Sequence, residues 1–232
     1  MGRRDTRVGR LRPVGVGTMR PYYWILGAVF LAVWIWAAIE PFDRGAWFLE
    51  NLLVVGFVPV LLVAARYFRL SDVSYGLLTL FMVLHVVGSH YTYAEVPFGF
   101  TLQEWLGADR NMYDRLVHFS FGLLFAVPVR ECFIVLAGMK GFWSYYLPLD
   151  LTLSFSAIYE ILEWAAVQLV SPGAGLAFLG TQGDEWDTQK DMALAGSGAL
   201  LAIVLASLFL RSYRSRAKGV AAAKTVATSP VD

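Results

Sequence analysis

The chain has 232 residues, 57% of them hydrophobic and only 16% charged, and its mean hydropathy is +0.56. A soluble domain carries about 25% charged residues, so the composition excludes an ordinary water-soluble enzyme and indicates an all-α, polytopic membrane bundle. The net charge of +1 discriminates nothing as a sum, and the single cysteine, Cys132, excludes an intramolecular disulfide and any CxxC metal or redox motif.

Residues 1–20 form an Arg-rich tail. The apolar run behind it is too long for the 7–15-residue core of a signal peptide, and Glu40-Pro41 stands where a small-residue cleavage site would be. The run therefore reads as a retained anchor. Spanning a bilayer takes about 20 helical residues, and about six segments in residues 21–210 reach that length. Segment 1 covers Pro21–Ile39, with proline at a tolerated first-turn position. Segment 2 covers Trp47–Ala65, and segment 3 covers Ser71–His90 with Ser71-Asp72 as its N-cap. A connection rich in aromatics, Tyr91–Asn111, contains the short amphipathic piece Leu102–Leu106. Segments 4 and 5 cover Met112–Leu136 and Tyr145–Val170; a Gly-rich loop, Ser171–Gly183, leads to segment 6, Asp187–Leu210. Residues 211–232 are basic, then Ala-rich, and read as a disordered tail.

Six crossings put both termini on one side. All lysines and arginines except Arg44, Arg110, Arg115 and Lys190 fall in the two tails or in the turns at 66–71 and 130–144. The positive-inside rule then makes both tails cytoplasmic in a bacterial inner membrane. Tyr22, Tyr23, Trp24, Trp47 and Trp143 sit near segment ends, as interfacial anchors do. Basic runs beside a bilayer point to anionic lipid as partner rather than nucleic acid.

This topology gives the ionisable groups a depth. His85 and His90 lie toward the outer end of segment 3. Asp114 and His118 are four apart at the outer start of segment 4, on one helix face. Glu160 and Glu163 are three apart in segment 5, Glu160 lying roughly 22 Å along the axis from Tyr145. Asp184, Asp187 and Asp191 have the same three-and-four spacing at the start of segment 6. A charged group near the bilayer centre costs about 2.5–3.5 kcal/mol on insertion scales, so acids and histidines gathered at one depth call for a shared cavity. His85, His90, Asp114, His118, Asp184, Asp187 and Asp191 are hard-to-borderline donors that suit a divalent Zn, Mn or Fe ion. Glu160 and Glu163 are left as candidate catalytic carboxylates.

Simpler roles exist for several of these groups. Asp114 and Asp187 suit helix N-termini, Glu163 could pair with Arg115 or Lys190, His90 could be solvated, and Arg130 with Glu131 reads as an interface pair. The chain has no Walker loop, dinucleotide fingerprint, HExxH or GxSxG.

Three blocks carry a resemblance: Asn111-Met-Tyr-Asp114-Arg115-Leu-Val-His118-Phe119, Ser156-Ala-Ile-Tyr159-Glu160-Ile-Leu-Glu163-Trp164, and Leu179 through Met192 with Gln182, Gly183, Asp184, Asp187 and Asp191. With His85 and His90 upstream, the chain resembles the bacterial YjdF-type inner-membrane family over about residues 20–210. It is more distantly similar to the VanZ-like family, which is associated with glycopeptide resistance and the cell envelope. The upstream histidines and the second glutamate, Glu163, depart from the VanZ-like pattern. The resemblance implies a bacterial inner-membrane protein and marks the nine candidate residues together with Gln182. The resulting expectation is a membrane-embedded metal site used on a lipid-linked or cell-envelope substrate, by a metal-dependent hydrolase or transferase. The alternatives are a cation or proton transporter, or a non-catalytic structural protein using the same cluster.

Overall fold

The computed structural model describes residues 20–169, 178 and 180–227, with side chains described as far as residue 209. Most of the first tail and most of the Gly-rich loop lie outside the described residues. Seven helices and no strand occur among those described: α1 Pro21–Ala38, α2 Arg44–Tyr67, α3 Asp72–His90, α4 Pro97–Leu106, α5 Tyr113–Ala137, α6 Trp143–Val167 and α7 Asp187–Ala227.

The helix ends follow local chemistry. Pro21 opens α1 and Pro97 opens α4, at positions where the missing N–H costs nothing. The Asp43 carboxylate accepts from Ala46 N–H at 2.8 Å, which starts α2 three residues before the expected Trp47. Ser71 caps α3 as expected. Gly107 and Gly138 end α4 and α5 in the left-handed conformation that favours glycine. The amphipathic piece expected at Leu102–Leu106 is the second half of α4. The last helix continues past Leu210 through residues expected to be disordered. Residues 211–227 are dominated by alanine, lysine and arginine, which have high helix propensity, and no proline interrupts them.

Five helices, α1, α2, α3, α5 and the Asp187–Phe209 part of α7, are long and apolar enough to cross a membrane. The sixth expected span, α6, is as long as α5 but contains Asp150, Glu160 and Glu163. It nevertheless lies alongside α5. At the C-terminal end of α5 the Arg130 guanidinium lies over the Tyr145 ring of α6, 4.3 Å from the centroid. Fifteen residues on, Glu160 reaches His118, in the second turn of α5. The two helices therefore run antiparallel along their length, about 37 Å for 25 residues.

The same reasoning fixes the other helices. Tyr22 and Tyr23 at the start of α1 bond Asp72 at the start of α3. His90 at the end of α3 bonds the Ala37 carbonyl at the end of α1. Helices α5 and α7 are parallel, because Arg115 meets Asp187 while further along Gly122 meets Ala195 and Ala199. The start of α1 and the C-terminal part of α7 thus lie at one end of the bundle. The other end gathers the starts of α2, α5 and α7.

Large apolar side chains from α3 and α5, such as Phe81, Met82, Val86, Val117 and Leu124, fill one core. Small residues make the α5–α7 seam: Ala126, Ala199 and Ala202 are buried there beside Gly122 and Gly198. Outward faces are apolar, with Trp24, Leu52 and Val60 about two-thirds exposed. Trp47, an expected interfacial anchor, is buried instead. Glu131 pairs not with Arg130 but with Ser71 and Ser74 at the cap of α3, bonding both hydroxyls and the Ser71 N–H.

Candidate metal and cavity site

The loop before α5 and the loop before α7 are tied together by a reciprocal pair of bonds. The Gln182 side chain accepts from the Asn111 N–H at 2.9 Å and donates to the Asn111 carbonyl at 3.2 Å. Gln182 has φ 49°, a left-handed strain that this pairing holds in place. Asn111 also accepts from Tyr113 N–H and donates to the Val96 carbonyl, so α4 is fastened to the same corner.

Two arginines sit at that corner among four aspartates. Arg115 donates to Asp184 Oδ2 at 2.9 Å, to Asp187 Oδ1 at 2.6 Å and to the Asp187 carbonyl at 3.0 Å, and pairs with Asp191 Oδ2 at 2.5 Å. Arg110 bonds Asp187 and the carbonyls of Gly180 and Thr181, with Asp114 Oδ2 at 3.5 Å. Lys190 Nζ donates to both oxygens of Asp184. That bond, aided by the Trp186 N–H, holds the Asp184 carboxyl down at about 2.

Beneath this knot, ligand-capable atoms of Asp114, His118 and Asp191 all lie within 4.8 Å of one another. His118 Nε2 is 3.5 Å from Asp114 Oδ1 and 3.6 Å from Glu160 Oε1. Two buried oxygens at this point, Asp191 Oδ1 and Glu160 Oε1, have no hydrogen-bond partner among the described residues. A buried carboxylate oxygen without a donor is expensive, and a cation or a proton between these groups would remove the cost.

The triad borders a cavity of about 430 Å³ walled by α2, α3, α5 and α6. Glu50 of α2 reaches it from the opposite wall and accepts the Tyr159 hydroxyl at 2.8 Å. His85 is fully enclosed: Nε2 donates to the Glu50 carbonyl at 3.1 Å, and Nδ1 accepts the Tyr93 hydroxyl at 2.6 Å. Burial, with Glu50 nearby, raises the Tyr93 phenol well above its ordinary value, so it stays a donor.

The structure thus separates the expected site residues. Asp114, His118 and Asp191 converge, and Glu160 adjoins them. Glu163 lines the cavity but pairs with neither Arg115 nor Lys190, both of which are engaged by aspartates. Asp184 and Asp187 are committed to the basic groups. His85 has both ring nitrogens bonded to protein. His90 packs on Trp36 with centroids 4.5 Å apart and the rings tilted by 33°, and bonds the Ala37 carbonyl, away from the triad. Sequence reasoning missed Arg110 and Glu50 as members of the site. Glu50 did give a signal, since it is an acid inside an otherwise apolar span.

Comparison with known proteins agrees with this architecture. Residues 22–212 match the family described as Predicted membrane protein (DUF2238). The chain is similar to the inner membrane protein YjdF of Escherichia coli K12, with 39% identity over 194 residues, covering 83% of this chain and 92% of that protein. No solved structure gives a significant match.

Proposed function

Since the chain belongs to the DUF2238 family of predicted membrane proteins, we propose that it is a multi-pass inner-membrane protein with a divalent-metal site at the outer end of its bundle, acting on a lipid-linked or envelope substrate. The supporting observation is the convergence of Asp114, His118 and Asp191 beside two unpartnered carboxylate oxygens. One imidazole and two or three carboxylates are a fitting donor set for Zn, Mn or Fe. A metal held there would supply Lewis acidity or an activated water. Glu160 is placed to take a proton, with Glu163 one turn further along α6 as the second carboxylate. Arg115 holds Asp191 in position, and Arg110, Arg115 and Lys190 engage Asp184 and Asp187 outside the ligand set. The apolar cavity beside the site accommodates hydrocarbon, as a lipid-linked substrate requires. In this reading both termini are cytoplasmic and the basic tails contact anionic lipid.

Metal content of the detergent-purified protein is the test. The expected result is near-stoichiometric metal in the wild type, loss in His118→Ala and Asp191→Asn, and retention in Asp187→Asn, which perturbs only the arginine knot. A wild type without metal after reconstitution with Zn²⁺, Mn²⁺ and Fe²⁺ would remove the metal reading.

A further inference from the structure

The cavity carries a second feature that the metal reading does not use. Its volume of about 430 Å³ falls in the range of small-molecule pockets, roughly 300–1,000 Å³. Phe57, Phe81, Phe121, Phe125 and Phe155 line it, so much of its wall is aromatic. The charged side chains on that wall are acids: Glu50, Glu163 and Asp114. No lysine or arginine among the described residues lines it, because Arg110 and Arg115 are turned to the aspartate knot.

Glu50 is the sharpest element. It is 3% exposed, and among the described residues only the Tyr159 hydroxyl donates to its carboxylate. The nearest basic atom, His85 Nδ1, is 4.0 Å away and already accepts the Tyr93 hydroxyl. A buried carboxylate without a cation is costly, and aromatic rings attract ammonium groups. Without a metal at the triad, an anionic head group beside Glu50 and Glu163 would meet like charge, His118 being turned toward Asp114 and Glu160. The mouth is apolar too: Phe155, Ile158 and Leu162 line the cavity and are each at least half exposed on the flank of α6. Helix α2 packs on α3, whereas α6 packs on α5 and α7. The Tyr159–Glu50 bond therefore bridges a gap that opens toward lipid.

We propose that the cavity binds a hydrophobic amine, with its ammonium group against Glu50 and Glu163 and its hydrocarbon body among the phenylalanines, entering from the bilayer between α2 and α6. This binding requires no metal.

The test uses full-length protein in phosphatidylcholine nanodiscs with EDTA, titrated with dodecylammonium, dodecanol and dodecyl phosphate against empty nanodiscs. Saturable binding of dodecylammonium is expected, about tenfold or more tighter than either analogue, and weakened by at least as much in Glu50→Gln. Glu50→Gln keeps an acceptor for Tyr159, and an unchanged unfolding temperature and metal content would show that the loss is local. Glu163→Gln is the second variant, with a smaller loss expected. Displacement of the bound amine by phosphatidylethanolamine in the disc identifies an amine-headed lipid as its source, and retention identifies a free amine. Equal or tighter binding of dodecyl phosphate, or unchanged affinity in both variants, overturns the proposal. Phosphate binding that appears only when metal replaces EDTA, with no saturable dodecylammonium binding in either condition, would overturn it while supporting the metal site, so the two readings fail separately.

Discussion

Arg115 is 6% exposed and is shared by three aspartates, so its side chain decides whether those acids are tolerable where they lie. Arg115→Ala leaves the buried Asp191 carboxylate without its cation, while Asp187 keeps Arg110 and Asp184 keeps Lys190, and is expected to cost about 3–5 kcal/mol, read as a large fall in the unfolding temperature in detergent. Arg115→Lys should recover only part of this, since one ammonium cannot reproduce the planar fork that reaches all three acids. Asp184 gives a pH prediction. Its folded value of about 2 lies below the unfolded value of about 3.9. Its contribution is therefore complete above pH 4 and disappears as pH falls toward 2. Lys190→Met should move the Asp184 titration upward, checked by carboxyl NMR of the labelled side chain. The i, i+4 pairs Asp114–His118 and Asp187–Asp191 were legible in the sequence because helix periodicity alone puts each pair on one face. The assignment of Asp187 to Arg110 and Arg115, and of His85 to Glu50 and Tyr93, was not. Those partners come from other elements, and nothing in local spacing ranks an arginine above a metal ion as the counter-charge.

Among the helices, α5 and α7 approach most closely. A Cβ on Gly122 would lie 1.8 Å from the Ala195 carbonyl oxygen, and one on Gly198 would lie 2.1 Å from that of Phe119. Both obstacles are backbone and cannot rotate away. Gly122→Ala and Gly198→Ala should force the helices apart, costing about 1–3 kcal/mol or more, and should loosen the Asp114–His118–Asp191 group that spans the seam. Gly56→Ala is the control: its Cβ would meet nothing within 4 Å, so a change within about 0.5 kcal/mol is expected. Thermal unfolding and metal affinity measured on the three variants separate seam from surface. The long apolar runs announced the helices, and α6 could be read as a span despite its acids. Gly122, a lone glycine in a 25-residue helix, carried no comparable signal, since close approach depends on which helix lies opposite.

Taken whole, the molecule gathers Arg110, Arg115 and four aspartates at one end, and Arg20, Asp72, Arg130 and Glu131 at the other. In the proposed topology, drawn from the positive-inside rule, the first end is periplasmic. With the native thiol removed by Cys132→Ala, Glu185→Cys in intact cells should react with a membrane-impermeant maleimide, whereas Lys140→Cys should react only after lysis; the reverse pattern would invert the topology. The arginine knot also bears on how the protein is made. Arg115 finds Asp184 and Asp187 only 69 and 72 residues later in the chain. Until α7 is made, Arg115 of α5 therefore lacks the three carboxylates it pairs with, whereas Asp114 already has Arg110 one turn away. The start of the last helix and the loop before it supply those carboxylates. A chain that stops short of residue 184 lacks all three of these acids, so a truncation ending after α6 leaves a buried cation without counter-charge and is expected to be cleared from the membrane faster than the full chain, as a pulse-chase would read.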